Sequence, residues 1–179
     1  MNRTRLKYAA IAVLMLTAII LLTTFTVGRE LLADRQPTLR SFALLNFAGY
    51  LFFLLMPVEA LIPLYQSEGH DGAVLIIVAV TTAVASQLID YGIGRAVSGK
   101  VLHHVIGLVG EKRYAKAERA IRQWGNWAIF VFNLFPLSSP NLLLAAGIVR
   151  HNLAATMLYS VCGLVLKYFA IVYVFEAFF

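Results

Sequence analysis

This chain has little charge. Asp, Glu, Lys and Arg make up 13% of its 179 residues, against about 25% in a soluble domain. A surface covered with charge is therefore excluded. With 60% apolar residues and a mean hydropathy of +0.79, the chain reads as an integral membrane protein of one domain. Cysteine is nearly absent: Cys162 stands alone in an apolar run, so neither a disulfide framework nor a thiolate metal cluster is available within one chain. HExxH, P-loop, G-x-S-x-G and CxxC motifs are all missing. The expectation is no enzyme, no cofactor and no metal. Nucleic acid is a poor partner, because the basic residues abut membrane segments instead of a soluble domain.

Proline is scarce too, and its placement is informative. Of five prolines, four form two pairs, Pro57/Pro63 and Pro136/Pro140, each inside an apolar stretch. Proline removes a backbone donor and clashes with the preceding turn, so neither stretch makes one straight helix. Each is followed by an apolar helix with one ionisable residue, Asp90 in the first half and Lys167 in the second. Repeated, interrupted hydrophobic segments point to a transporter-like site between discontinuous helices.

Along the chain, Tyr8–Val27 is an apolar run of 20 residues, about a bilayer span. It is read as a retained first transmembrane helix, being too long for a signal-peptide core and followed by no A-x-A site. A polar external linker runs to residue 40. Residues 41–65 carry the first proline pair, 73–95 a span, 96–125 a basic loop, 126–149 the second pair and 153–175 the last span. Domain organisation is thus 1–40 as helix plus linker and 41–179 as the membrane domain.

The cations set the topology. Arg3, Arg5 and Lys7, seven residues from Arg95 to Arg122, and Arg150 make eleven of the fifteen. With the amino terminus in the cytoplasm these lie inside, Arg29, Arg35 and Arg40 lie outside, and Lys167 is intramembrane; the reverse breaks the positive-inside tendency. That count requires each proline-broken stretch to enter and leave on one side. The predicted fold is all-α, an inverted repeat of re-entrant hairpin plus transmembrane helix with an extra N-terminal transmembrane helix. The alternative is that each stretch spans once with a kink. In the loop, Tyr114, Ala117, Ile121 and Trp124 recur at helical spacing opposite Lys112, Arg113, Lys116, Arg119 and Arg122. The helix lies in the headgroup layer, packs Ile121 and Trp124 on its own domain, or does both. His103 and His104 are adjacent and point apart on a helix, so they share no metal.

Glu59, between Pro57 and Pro63, is an intramembrane acid and so a candidate proton acceptor or headgroup contact; the structural alternative is a carboxylate capping amides at the hairpin mouth. Asp90 is either functional or a helix-end acid paired with Arg95. Lys167 is near the centre of its span and needs a partner, Glu59 or Asp90. Asn133, Ser138, Ser139 and Asn141 cluster at the second break, where they line a path or satisfy freed backbone groups.

P-V-E-A-L-I-P (57–63), Y-G-I-G-R-A-V-S-G (91–99), and the run from Gly125 through Phe132 and Pro136 to Ala146 and Gly147 resemble the DedA family. That family is also called the VTT or SNARE-associated Golgi protein family, here in a divergent, Tvp38-like form. Asn133 and Ser139 stand where the best-known branch has arginines, and Gln87 where an acid is frequent. The resemblance implies a lipid translocator of the cytoplasmic (inner) membrane, a phospholipid or polyprenyl-phosphate flippase or scramblase with a proton link. It implies lipid headgroups as partners and allows a homo-oligomer. Glu59 leads, Asp90, Arg95 and Lys167 follow, and Asn133, Ser138, Ser139 and Asn141 line the path. The rivals are a proton-coupled transporter of a small solute and a non-transporting scaffold.

Overall fold

The computed structural model describes residues 38–51, 58–96, 111–135 and 139–178. The expected first span Tyr8–Val27, its leading cations, the linker up to residue 37, Pro57, His103, His104, Pro136 and Ser138 lie outside the described residues. So do the side chains of Arg113, Ser139 and Pro140. The regular elements among the described residues are all helical. They are α1 (Leu39–Tyr50), a 3-10 turn (Val58–Ala60), α2 (Leu61–Ser67), α3 (Gly72–Ala96), α4 (Glu111–Trp124), α5 (Asn126–Leu134), α6 (Ser139–Ile148) and α7 (Leu153–Phe178).

Two of these helices can cross a membrane by length and composition, α3 over 25 residues and α7 over the 22 residues Leu153–Val174. At a rise of ~1.5 Å per residue α3 spans about 37 Å, more than the roughly 30 Å of a hydrocarbon core. No single helix of the proline-broken stretches is long enough to do this. Their helices hold 12 and 7 residues in the first stretch and 9 and 10 in the second. Both leading helices stop at an extended residue, Leu51 (φ −89°, ψ 141°) and Phe135 (φ −96°, ψ 155°).

The second proline of each pair has a different task from the one its spacing suggested. Pro63 is the third residue of α2 and Pro140 the second of α6. In a first turn the missing N–H has no partner to lose, so these prolines open the return helices instead of breaking them.

The start of α1 is tied to the end of α2. Thr38 caps α1, its hydroxyl accepting from the Ser41 amide at 3.3 Å while its own amide donates to Ser41 Oγ at 3.1 Å, a reciprocal capping box. That cap moves the helix start from the expected 41 to 39. Ser41 Oγ also lies 2.7 Å from Tyr65 Oη, and the Phe42 and Tyr65 rings meet at a tilt with centres 5.1 Å apart.

The helices pack in a crossed pattern. α1 lies on α3 and α5 on α7, whereas the return helices change sides, α6 on α3 and α2 on α7. One core gathers Phe42, Ile62, Leu75, Leu164 and Tyr168; the other gathers Tyr91, Ile129, Leu142, Leu143 and Ala146. Of the two readings of the loop helix, packing on the domain is observed. Tyr114, Ala117 and Ile121 of α4 are buried in the second core, so that apolar face packs on the domain. Trp124 stays 64% exposed, and Lys112, Lys116, Arg119 and Arg122 remain at the surface.

Candidate functional site

The polar residues inside the molecule form two networks, one charged and one neutral. The charged one lies where α1, the 3-10 turn, α3 and α7 meet. Lys167 on α7 places Nζ 2.9 Å from Glu59 Oε1 and 2.6 Å from Tyr50 Oη. The lysine is 7% exposed and the glutamate side chain 26%. The ammonium sits 5.3 Å from the Tyr50 ring centre and 5.2 Å from that of Tyr168, so two aromatic faces add cation–π attraction. Tyr168 Oη lies 3.0 Å from Tyr50 Oη and 3.1 Å from Asn46 Oδ1. Asn46 in turn donates to the Ala79 carbonyl at 2.9 Å and to Thr82 Oγ1 at 2.7 Å. A cation in an apolar span is costly unless it is paired and hydrogen-bonded, and each requirement is met here.

Of the two partners weighed for Lys167, the fold supplies Glu59. Asp90 stands apart: it is 2% exposed, and its Oδ2 has no hydrogen-bond partner. The alternative pairing of Asp90 with Arg95 is not formed among the described residues, because the Arg95 guanidinium turns to Tyr91 Oη at 3.3 Å. Tyr91 Oη donates to the His151 carbonyl in the turn after α6. Gly94 lies against the Leu144 carbonyl, and Gly147 against the Tyr91 carbonyl. The Y-G-I-G-R segment is thus the seam that holds α6 on α3. Arg95 joins that seam through Tyr91.

The neutral network lies where α3, α5 and α7 meet. Gln87 Nε2 donates to Asn133 Oδ1 at 2.5 Å, Asn133 Nδ2 donates to the Ile129 carbonyl at 2.9 Å, and Ser160 Oγ donates to Gln87 Oε1. Gln87, Asn133 and Ser160 are fully buried, so Asn133 links α3, α5 and α7. Asn141 is also buried, with Oδ1 unpartnered. Exchanging Asn133 for leucine leaves the Gln87 amide without its acceptor. That variant is expected to lose about 1–3 kcal/mol, read as a lower melting temperature in detergent, and to regain part of it when Gln87 is also made leucine.

Sequence reasoning missed Asn46, Tyr50, Tyr168, Gln87 and Ser160 as network members. A usable signal existed for two of them: Asn46 and Tyr50 are four apart in an apolar helix, hence on one face.

A family model described as the VTT domain matches residues 37–177. No curated protein and no solved structure matches the chain. The matched segment takes in α1 through nearly all of α7, including both proline-broken stretches, the glycine seam and the Glu59–Lys167 pair, so the chain is a membrane protein that belongs to the VTT-domain, or DedA, family.

Proposed function

We propose that this protein moves lipid headgroups across the cytoplasmic membrane, the acyl chains staying in the bilayer while the headgroup follows a polar path. Passage of a polar headgroup through hydrocarbon is what makes unassisted flipping slow, so a protein-lined polar groove is sufficient catalyst. The observation that carries the reading is the Glu59–Lys167 pair with its tyrosine and asparagine supports. It is a charged, largely buried cluster at a helix break, with the acid a quarter open to the outside. Buried ionisable groups in membrane segments mark transport paths by default.

The architecture proposed for this task is an inverted repeat of two re-entrant hairpins, α1–α2 and α5–α6, each paired with a span. Two observations support it. The Ser41–Tyr65 contact joins the outer ends of the first pair, which a single kinked span would hold a membrane apart. The crossed packing treats the two halves alike, each leading helix on its own span and each return helix on the other span. In this reading the amino terminus is cytoplasmic, lipids are the partners, and neither a cofactor nor a chemical step is involved.

Purified protein in liposomes tests this. Reporter lipids in the inner leaflet are expected to become accessible to an outside quencher faster than in empty vesicles, and a proton link would make the rate follow an imposed pH gradient. Solute uptake driven by that gradient, with no reporter movement, would establish the transporter rival. No movement of either would favour a scaffold.

A further inference from the structure

The Glu59–Lys167 bridge joins unequal partners. Lys167 is held in place: it is 7% exposed, it donates to Tyr50, and two rings wall its ammonium. Glu59 reaches it from a three-residue turn, and its side chain is 26% exposed. The cation is therefore the fixed member, and the anion is the member that solvent or a ligand can replace.

The tyrosines behind the lysine can serve a second acceptor. Tyr168 has one hydroxyl proton and two oxygens in reach, Asn46 Oδ1 at 3.1 Å and Tyr50 Oη at 3.0 Å. With that proton on Asn46, Tyr50 donates to Tyr168. With it turned to Tyr50, the proton of Tyr50 is released toward an acceptor beside the ammonium. Rotation of two hydroxyls thus turns Tyr50 from a donor to Tyr168 into an outward donor, with no ring displaced. Asn46 tolerates either state because its amide stays anchored on Ala79 and Thr82.

A phosphodiester fits this arrangement. Its two unesterified oxygens can take one bond from Lys167 and one from Tyr50, and its single negative charge replaces that of the carboxylate it displaces, leaving the charge of the site unchanged. A phosphate dianion would leave one unbalanced negative charge.

We infer that Lys167, with Tyr50 as second donor, binds the phosphodiester of a lipid headgroup, and that Glu59 is the built-in anion that holds the site between headgroups. The lipid origin of the phosphate rests on the translocation reading above; the anion site does not.

The test uses the full chain in detergent, with melting temperature as the readout of binding. The probes are dioctanoyl phosphatidylglycerol, dioctanoylglycerol, glycerophosphoglycerol and inorganic phosphate. Phosphatidylglycerol is expected to stabilise the wild type, and dioctanoylglycerol is not. Glu59→Gln is expected to melt lower and to be rescued by phosphatidylglycerol at roughly tenfold lower concentration, since the competing carboxylate is gone. Lys167→Gln, and the Glu59→Gln/Lys167→Gln pair that leaves no stray charge, are expected to lose the phosphate-specific shift while still folding. A shift that survives in both lysine variants overturns the site, as does Glu59→Gln showing no preference for phosphate-bearing lipid. Inorganic phosphate or glycerophosphoglycerol acting as strongly as the lipid overturns the lipid assignment. Should wild-type liposomes move no reporter while the Lys167-dependent shift remains, translocation falls and the anion site stands.

Discussion

Glu59→Gln is expected to be the most damaging single change to stability in the charged network, lowering it by about 3 kcal/mol in the absence of lipid. It leaves the ammonium of a buried lysine without its counter-ion, and breaking one side of a buried pair costs on the order of 3–5 kcal/mol. The lower end applies because Glu59 is partly open, which screens the pair. Lys167→Met should cost less. It leaves a carboxylate able to turn toward the opening, and Tyr50 keeps Tyr168 as a partner. Removing both should restore most of the loss, because methionine and glutamine carry no charge to bury. Chemical or thermal denaturation of the two single variants and the double variant yields the coupling directly. Additive losses, or a worse effect from Lys167→Met than from Glu59→Gln, would contradict this account of the pair.

Adding a side chain at the α3–α6 seam is expected to have an effect of similar size. A Cβ on Gly94 would collide with the backbone carbonyl of Leu144, and one on Gly147 with that of Tyr91, so the obstructing atoms are main chain and cannot rotate away. Overpacking of this kind costs on the order of 3 kcal/mol, and small residues at membrane helix crossings exist to permit such approach. Gly94→Leu and Gly147→Leu should each lower the melting temperature sharply and reduce the folded yield in detergent. Gly92 is the control. A Cβ there meets nothing within 4 Å, so Gly92→Ala should be neutral or stabilising by up to about 1 kcal/mol through helix propensity. Equal damage at all three positions would show that the helix, and not the seam, is what glycine serves.

Asp90→Asn is expected to raise the melting temperature slightly. Its Oδ2 has no donor in reach, and an acid without a partner is a poor occupant of a buried interface. A marked loss would mean that Asp90 has a partner in another conformation.

Composition and proline placement were enough to read a helical membrane protein with two apolar stretches that cannot each be one straight helix. Those properties are local: apolar content sets the solvent, and proline acts on its own turn. The same locality explains the near agreement at α3 and α7, whose starts follow polar turns in the chain. It does not extend to Pro63 and Pro140, which stand in the first turns of the return helices. Proline breaks a helix or begins one depending on whether a preceding turn exists, and that depends on where the chain has already folded.

The sequence by itself determined that Lys167 must have an acidic partner, because a lone cation in an apolar span is too costly to keep. It left Glu59 and Asp90 open, since 108 residues separate the lysine from one and 77 from the other. Tertiary structure decided for Glu59 by bringing the 3-10 turn of the first break to α7, with Tyr50 and Tyr168 as the remaining support. It also turned Arg95 into part of a seam and made Asn133 a neutral bridge. Burial and pairing are properties of helix crossings, and a crossing between residues this far apart is set by packing, which no local pattern contains.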